Sequence, residues 1–340
     1  MLHFESDYTM SAHPAILQAL QASSQEHYAG YGLDTVSQEA QDRIRAATLN
    51  PDADIHFVAG GTQANKIVIA SLLRAFEGVV ATDSAHIATH EAGAIESSSH
   101  KVLTTPQVNG KLTSEALQQV LDSWENDDNR DHMVRPGMVY ISHPTEFGTL
   151  YSRSELATLH SICLKHHIPL FVDGARLGYG LAAKSTDVTL PDLAQYADVF
   201  TIGGTKMGAL FGEAIVLRHR DMIASFFSQI KLHGALLAKG WLLGLQFNTL
   251  FNDNLYWNIG EYADHLAMQI HDTAASKGYS FMVDSPTNQQ FFTVDHQTIE
   301  RLSQYMPVAV WQQRENQFDI RIATSWSTTQ DDVDQLLTLL

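Results

Sequence analysis

Val199-Phe-Thr-Ile-Gly-Gly-Thr-Lys206 is an apolar run that passes through small residues and ends in a lysine. A second apolar run, Ile168-Pro-Leu-Phe-Val-Asp173, ends in an aspartate. Neither run alternates polar with apolar residues, which is typical of strands covered on both faces of a parallel sheet. Ligands of open α/β sheets bind beyond the carboxyl ends of the strands. Lys206 and Asp173 are therefore expected to face one crevice.

The two side chains have complementary chemistry. A lysine among small residues at a strand end loses hydration, which favours its neutral, nucleophilic form, and an aspartate can pair with a positively charged ring nitrogen. The pair suggests pyridoxal 5′-phosphate (PLP), whose enzymes bind its aldehyde through a lysine and its pyridinium through an acidic partner. Taken singly, Lys206 could be a solvated loop lysine and Asp173-Gly174 an ordinary turn.

Composition excludes several classes of function. The 340 residues carry 38 acidic and 21 basic side chains, a net charge of −17 that repels nucleic acid. No apolar run reaches the roughly 18 residues of a membrane span, and the acidic N-terminus does not resemble a signal peptide, so we expect a cytoplasmic protein. The single cysteine, Cys163, excludes an internal disulfide. The 17 histidines show no metal-ligand spacing, so no metal is expected.

Short apolar runs alternate with segments of helical periodicity along the first two thirds of the chain. The predicted strands of this part are Ile55–Ala59, Val79–Thr82, Met138–Ser142, Pro169–Asp173, Val199–Gly203 and Ala214–Leu217. The predicted helices are Thr62–Phe76, Ser114–Trp124, the segment that the capping box Ser152-Arg-Ser-Glu155 opens, and Gly234–Phe251. This alternation predicts an α/β fold with a mostly parallel sheet and flanking helices.

The last third of the chain has a different pattern, which predicts a small C-terminal α+β domain. Its predicted strands are Gln290–Val294, Val308–Trp311 and Phe318–Ala323. Its last predicted helix is Asp331–Leu340, with Thr328 as the cap. We expect an N-terminal arm at residues 1–13, a large α/β domain at 14–232 and the small domain at 233–340.

Two further segments carry candidate binding residues. Gly60-Gly-Thr-Gln-Ala-Asn65 follows a predicted strand and opens a helix, where glycine backbone and free N–H groups can hold a phosphate. It matches neither the dinucleotide pattern nor the P-loop, so NAD and ATP are unsupported, and alone it could be a plain capped turn. His86 follows the next strand, where a histidine can stack on a flat ring or take a proton, although a lone histidine is more often structural.

Two arginines are candidates for binding an anion. Arg176 follows Asp173 by three residues and could pair with that aspartate or with a substrate carboxylate. Arg321 lies in a predicted strand, on the face opposite Ile320 and Ile322, where an inward arginine is costly without an anion. That anion could be a substrate carboxylate or an internal carboxylate.

These motifs together resemble the L-threonine aldolase / β-eliminating lyase family of fold-type I PLP enzymes. Similar segments occur in the family's order over nearly the whole chain: Phe4-Glu-Ser-Asp7, Tyr31-Gly-Leu-Asp34, Gly60-Gly-Thr-Gln-Ala-Asn65, Ala85-His-Ile87 with Glu91-Ala-Gly93, Thr145-Glu-Phe-Gly-Thr-Leu-Tyr151, Asp173-Gly-Ala-Arg-Leu177, Gly203-Gly-Thr-Lys206 and Arg321-Ile-Ala-Thr-Ser-Trp326. The resemblance implies the fold of PLP-dependent transferases. It also implies cleavage of threonine, allo-threonine or phenylserine to glycine and an aldehyde.

The resemblance implies a role for several residues toward the cofactor. Lys206 would bind its aldehyde, Asp173 would pair with its pyridine nitrogen, and His86 would stack on its ring. Further cofactor contacts are implied for Gly61, Thr62, Arg176, Thr205 and Lys231, the last from across a dimer interface.

The resemblance also implies roles toward the substrate and the assembly. His86 or His132, or a water that they hold, would take the proton of the substrate hydroxyl. The residues implied to contact the substrate are Ser6, Tyr31, Arg176 and Arg321, with Tyr31 reaching a neighbouring subunit's site. A homodimer or homotetramer with active sites at the dimer interface is therefore expected.

Two other classes of protein stay open. Related fold-type I enzymes, such as aminotransferases, desulfurases or β-eliminating lyases, often carry Asp-x-x-His and Ser-His-Lys. This chain has Asp173-Gly-Ala-Arg176 and Gly203-Gly-Thr-Lys206 at those places, which favours the aldolase. The second alternative is a catalytically inactive binding protein of the same fold, and the joint presence of these residues with Arg321 argues against it.

Overall fold

The computed structural model describes residues 1–340. Its strands are β1 Asp54–Val58, β2 Glu77–Thr82, β3 Val102–Thr105, β4 Arg135–Ser142, β5 Leu170–Asp173, β6 Val199–Gly203, β7 Glu213–Leu217, β8 Gln289–Asp295, β9 Ala309–Arg314 and β10 Gln317–Ala323. Its α-helices are α1 Pro14–Ala22, α2 Thr35–Thr48, α3 Gly61–Leu72, α4 His86–Thr89, α5 Ser114–Glu125, α6 Arg153–His166, α7 Leu177–Ala182, α8 Leu190–Tyr196, α9 Phe226–Leu232, α10 Trp241–Leu250, α11 Leu255–Ser276, α12 His296–Ser303 and α13 Gln330–Leu339. No helix combines the length and the apolarity that crossing a membrane requires.

The first seven strands form one sheet in the order β1-β7-β6-β5-β4-β2-β3. The five neighbouring strands β6, β5, β4, β2 and β3 run parallel to one another. Strand β7 is antiparallel to both of its neighbours, β1 and β6. An antiparallel pair needs only a short connection, which is what joins β6 to β7. The prediction of a mostly parallel sheet with flanking helices is confirmed. The carboxyl ends of β1, β4, β5 and β6 consequently meet at one edge.

Both faces of this sheet are buried, which explains the apolar runs in the sequence. Along β4, Met138 and Tyr140 belong to one apolar cluster, and Val139 and Ile141 belong to the other. Successive side chains of a strand point to opposite faces, so each cluster fills one side of the sheet. Helices cover both sides, as a parallel sheet requires.

The small C-terminal domain is built on an antiparallel sheet of three strands in the order β8-β10-β9. Ile320 and Ile322 of β10 are fully buried in the core of this domain, together with residues of α11, α12 and α13. Arg321 lies between them and therefore on the other face of the sheet, as the alternation predicted. The prediction of a small α+β domain is confirmed.

The large domain extends further along the chain than the predicted boundary at residue 233. Phe247 and Leu250 of α10 are buried in its core, and so is Ala263 of α11. Leu266, one turn further along α11, belongs to the core of the small domain. The boundary therefore lies within α11, because this continuous helix shares its apolar positions between the two cores.

Residues 1–13 do not form a separate arm, which corrects a second predicted boundary. Leu2 and Phe4 are buried in the core of the small domain, and the N–H of Ala323 donates to the carbonyl of Phe4 at 2.9 Å. Ala12 is buried in the core of the large domain. The residues between them cross from one domain to the other.

One strand was missed, and two local predictions need correction. The edge strand β3 was not predicted, because most of its residues are only partly buried and give no apolar run. Helix α10 begins at Trp241 rather than Gly234, whose φ of +69° interrupts a helix. The cap of α13 is Thr329, whose hydroxyl accepts the N–H of Asp332, rather than Thr328.

Candidate active site

A pocket of about 220 Å³ opens at the edge of the sheet where β4, β5 and β6 end. Its lining residues are Tyr8, Gly61, Thr62, Asn65, His86, Ser142, Pro144, Thr145, Glu146, Asp173, Ala175, Arg176 and Lys206. This is the edge at which ligands of α/β sheets bind. The pocket brings together residues that lie far apart in the sequence.

Asp173 ends β5 and is held by donors on both of its oxygens. Oδ2 accepts the hydroxyl of Tyr140 at 2.6 Å and the side-chain amide of Asn65 at 2.9 Å. Oδ1 accepts the N–H of Ala175 at 2.8 Å. Asp173 as a whole is only 5% exposed, so these bonds give its carboxylate one rigid orientation at the base of the pocket.

Lys206 follows β6 in the single turn Thr205–Met207. A Cβ at Gly203, just before this turn, would lie 2.3 Å from a backbone oxygen, so the close approach requires glycine there. The carbonyl of Lys206 accepts the hydroxyl of Tyr179 at 2.6 Å. Its Nζ lies 5.8 Å from the ring centroid of Tyr8, and no hydrogen bond or salt bridge holds it. The backbone is thus fixed while the amine stays available.

Glu213 is a buried carboxyl group at the same edge. It opens β7 and pairs in register with Gly203 and Val58 of the two flanking strands. Burial and the charge of Asp173 raise its pKa to about 8, against the opposing charge of Lys206. A second negative charge next to Asp173 is therefore disfavoured at this edge.

His86 opens α4 and is positioned by a chain of hydrogen bonds. Its Nδ1 lies 2.8 Å from Oε1 of Glu91, and the amide of Asn65 donates to the same oxygen at 2.8 Å and to Asp173. Burial opposes the charged ring, but the hydrogen bond to Glu91 and the charges of Asp173 and Glu91 raise the pKa of His86. The imidazole therefore keeps its proton to higher pH than a free histidine does.

Arg176 has a partner that was not predicted from the sequence. Its Nε and Nη2 donate to the two oxygens of Asp7, at 2.7 and 2.9 Å. Burial opposes the ionised form of Asp7, but the charge and hydrogen bonds of Arg176 hold the pKa of that carboxyl below its usual value. The suggested pairing with Asp173 is wrong, because the guanidinium faces the N-terminal segment instead. Arg176 still lines the pocket, so its contact with cofactor or substrate stays a prediction.

Beside Arg176 lies a cluster of buried donors around Arg321. The Nη2 of Arg321 donates to the carbonyl of Glu5 at 2.8 Å and its Nη1 to Gln289 at 3.3 Å, but its Nε is buried without a partner. The hydroxyl of Ser6 is also buried without a partner. Burial and the charge of Arg176 lower the pKa of Arg321. Buried donors without acceptors are rare, so this cluster fits an incoming carboxylate.

His132 does not reach the pocket, and its predicted role is wrong. It lies in the turn that precedes β4, whereas the pocket lies beyond the other end of that strand. A strand of that length spans about 25 Å at roughly 3.3 Å per residue. The polar loop around His132 is not among the segments that resemble the family, so the resemblance does not fix the alignment at this position.

Five other predicted residues also lie outside the lining of the pocket: Ser6 and Arg321 of the donor cluster, and Tyr31, Thr205 and Lys231. Thr205 is next to Lys206, but its hydroxyl accepts the N–H of Gly212 at 3.1 Å. Lys231 and Tyr31 lie together elsewhere, with the ammonium 4.9 Å from the ring centroid. The roles of these residues toward a phosphate or a neighbouring subunit stay predictions.

Several polar groups of the pocket were not predicted from the sequence. Tyr140 lies two residues before the end of β4, where a hydroxyl in a buried strand signals a site at the strand end. Asn65 and Glu146 both lie inside segments that resemble the family, but neither received a role. Their contacts come from residues far away in the chain, which the sequence pattern does not show.

The pocket fits PLP. A Cβ built on Gly60 or Gly61 would meet no atom within 4 Å, so there is room for a phosphate above the N-terminus of α3. No side chain caps that helix, which leaves the N–H groups of its first turn for an anion. Asp173 and Lys206 face the same space. Fold and site together define a fold-type I PLP-dependent enzyme, in which the bound cofactor withdraws electrons from the bonds at an amino acid's Cα.

Comparison with known proteins agrees with this class. The model of the beta-eliminating lyase family matches residues 3–245. The chain is 29% identical over 304 residues to a low specificity L-threonine aldolase of Pseudomonas sp. (strain NCIMB 10558), covering 88% of this chain and 86% of that protein. It is 26% identical over 319 residues to the low specificity L-threonine aldolase of Escherichia coli (strain K12), covering 90% and 88%.

Solved structures show the same relationship. Leishmania major threonine aldolase superposes with a TM-score of 0.96 at 37% identity, over 100% of this chain and 98% of that one. The histidinol-phosphate aminotransferase of Clostridium acetobutylicum shares only the fold, with a TM-score of 0.74 at 10% identity, over 100% and 98%. The chain belongs to the beta-eliminating lyase family.

Proposed function

We propose that the protein cleaves the Cα–Cβ bond of a β-hydroxy-α-amino acid such as L-threonine, L-allo-threonine or phenylserine, and releases glycine and an aldehyde. One observation carries this proposal. Lys206 and Asp173 line one pocket, and the charge of Arg176 in the same lining acts on Arg321 of the donor cluster. The chain that carries this arrangement is 37% identical, over its whole length, to the Leishmania major threonine aldolase.

The site residues would act by binding and orienting the substrate. Ser6 and Arg321 would donate hydrogen bonds to its carboxylate, which satisfies donors that are otherwise buried without partners. Holding the carboxylate fixes rotation at Cα, so that the bond to be broken is aligned with the electron-withdrawing ring. Asp173 would keep the ring nitrogen protonated and so maintain its capacity to withdraw electrons.

Aromatic side chains next to the donor cluster support substrates with a large β-substituent. The rings of His90 and Phe147 lie 6.0 and 5.9 Å from the ring of Trp311. The guanidinium of Arg321 lies 5.7 Å from the same ring. A substrate whose carboxylate binds Arg321 would carry its β-substituent close to these rings. An aryl group gains from such contacts, which supports phenylserine as a substrate.

The function is tested by incubating the purified protein with both threonine diastereomers and with phenylserine. We expect equal amounts of glycine and the matching aldehyde, together with the absorbance band of bound cofactor. Formation of a keto acid would instead indicate an aminotransferase or an eliminating lyase. Bound cofactor without any product would indicate an inactive binding protein.

The carboxylate role of Arg321 predicts a defect in substrate binding. Arg321→Lys should raise the KM for threonine about 10- to 100-fold, because hydrogen bonds to charged groups contribute about 1.5–3 kcal/mol. Lysine lacks the planar guanidinium that donates two parallel hydrogen bonds to a carboxylate. Steady-state kinetics measure the change. Arg314→Lys is the matched control, since Arg314 pairs with Asp319 at 2.6 Å in the same small sheet. An unchanged KM in Arg321→Lys would contradict the role.

We further propose that the active form is a homodimer or homotetramer with a second copy of this chain against an apolar groove. The apolar residues of this groove are Tyr31, Leu33, Phe57, Phe227, Ile230, Leu236, Leu237 and Leu243. Leu33 and the nearby Leu232 are 62% and 76% exposed. Exposed apolar side chains grouped in this way are typical of an interface. Tyr31 and Lys231, which pack together there, would then face the neighbouring subunit.

This arrangement predicts that assembly and activity are lost together. The double variant Leu33→Glu/Leu232→Glu should be monomeric by light scattering and should have little aldolase activity. Leu164→Glu, which changes a 55% exposed leucine on α6, is the matched control and should change neither property. A wild-type protein that is monomeric and fully active would rule out the proposed interface.

A further inference from the structure

Glu146 is a carboxyl group in the pocket with one oxygen engaged and one free. Its Oε1 accepts the backbone N–H of His86 at 2.8 Å and the hydroxyl of Ser142 at 2.7 Å. Its Oε2 accepts no hydrogen bond from another residue, and Glu146 lines the pocket. Two donors on one oxygen fix the side chain and leave the other oxygen to meet a ligand.

Two other acid–base groups of the pocket, Asp173 and His86, are engaged by hydrogen bonds. Asp173, the second carboxylate of the lining, accepts three hydrogen bonds. His86 is bound to Glu91, and this contact favours its protonated form, which cannot accept a proton. Lys206 is the amine expected to bind the cofactor. Of the two carboxylates in the lining, Glu146 is therefore the one with an oxygen that accepts no hydrogen bond from another residue.

We propose that Glu146 is a catalytic residue, the base that takes the proton of the substrate's β-hydroxyl group. This proposal rests on the proposed aldol cleavage. The hydroxyl O–H bond breaks, its proton goes to Oε2 of Glu146, and its electron pair forms the carbonyl bond of the aldehyde. The Cα–Cβ bond breaks and its electron pair stays with Cα. Cα then takes up one proton from solvent, and Glu146 releases its proton to solvent, so no other reactant is needed.

The surroundings of Glu146 suit this role. Burial and the charge of Asp173 raise its pKa, whereas the hydrogen bonds from Ser142 and His86 oppose the rise. A carboxylate with a raised pKa is a stronger base than one in water. The charged and titratable groups around it are Tyr140 and Tyr151 from its own β4–α6 segment, His86 from α4, Asp173 and Arg176 from the β5–α7 segment, Lys206 after β6, and Tyr8.

A pH dependence follows from this arrangement. The base form of Glu146 is required, so kcat/KM should fall as pH falls through its raised pKa. Ser142→Ala removes a donor that favours the ionised carboxylate, which should raise that pKa further. The acidic limb of the pH profile should therefore move to higher pH in Ser142→Ala, while the carboxylate itself is unchanged.

Glu146→Gln gives the direct test, in the cofactor-loaded protein. Threonine cleavage should fall about 10²- to 10⁴-fold, the usual contribution of a general base, and the acidic limb assigned to Glu146 should disappear. Exchange of the Cα hydrogen of glycine with deuterium, followed by NMR, does not involve a hydroxyl group and should continue. The cofactor absorbance should also be unchanged. Glu115→Gln, an exposed glutamate of α5, is the control.

The outcomes separate this proposal from the proposed function. If wild-type protein exchanges the hydrogen of glycine but cleaves no β-hydroxy amino acid, the proposed function fails. If wild-type protein cleaves threonine and Glu146→Gln cleaves it at the same rate, only the role of Glu146 fails. An equal loss of glycine exchange and cleavage in Glu146→Gln, or an unmoved acidic limb in Ser142→Ala, would likewise overturn that role.

Discussion

Lys206→Ala is expected to remove both turnover and the covalent attachment of the cofactor. The backbone of Lys206 is fixed by the tight turn after β6 and by the hydroxyl of Tyr179, while its Nζ is not held by any hydrogen bond or salt bridge. An amine that is positioned but not engaged can add to an aldehyde. Alanine has no amine, and no other lysine lines the pocket. The absorbance of bound cofactor and the rate of glycine release measure the two losses.

Two variants control for charge and for general effects of removing a lysine. Lys206→Arg keeps a positive charge, but a guanidinium stays protonated and cannot add to an aldehyde, so it should also be inactive. Lys184→Ala removes an exposed lysine after α7 and should behave as wild type. Borohydride treatment followed by peptide mass spectrometry should place the cofactor on residue 206 in wild-type protein only. Full activity in Lys206→Ala would remove the assignment of this lysine.

Asp173→Ala should lower kcat by about a hundredfold or more. The loss of one pre-organised electrostatic partner has effects of about 10²–10³, and here the partner would hold the proton on the cofactor's ring nitrogen. Stability should fall as well, because Tyr140, Asn65 and the N–H of Ala175 lose their acceptor. Each buried group left without a partner costs about 1–3 kcal/mol. Kinetics and thermal unfolding separate the two effects.

Asp173→Asn distinguishes the charge from the hydrogen bonds. The amide keeps the size of the side chain but has no negative charge. The thermal stability of the Asp173→Asn protein should therefore lie closer to that of the wild type, while its kcat stays low. Asp198→Asn is the matched control, because Asp198 bonds the N–H of Leu170 at the opposite end of the same strands. A wild-type rate in both variants of Asp173 would exclude its role as the acidic partner.

The central sheet could be predicted from the sequence because its strands are buried on both faces. Such strands contain little but apolar residues, and the run Val199–Gly203 coincides with β6. The edge strand β3 was not predicted because an edge strand is only partly buried, so its sequence contains no continuous apolar run. The position of the domain boundary could not be predicted because α11 is one uninterrupted helix that contributes residues to the cores of both domains.

Some residues of the candidate site could also be predicted from the sequence, whereas others could not. Lys206, Asp173 and the glycines at the start of α3 could be found because small residues at strand ends and a glycine-rich helix start have local signatures. The partner of Arg176 could not be found, since Asp7 lies in an N-terminal segment that reaches the pocket only in the folded chain. The predicted role of His132 was wrong because a similar short segment does not show at which end of a strand a side chain lies. His132 precedes β4, whereas the pocket lies beyond the carboxyl end of that strand.

The sequence by itself determined the fold class, the family resemblance and the lysine–aspartate pair, because burial and backbone geometry act on neighbouring residues and leave a pattern along the chain. Only the tertiary structure decided which polar groups meet around that pair. The chain of hydrogen bonds from His86 through Glu91 and Asn65 to Asp173, and the free oxygen of Glu146, depend on contacts between distant segments. Such contacts follow from packing, which no local pattern encodes.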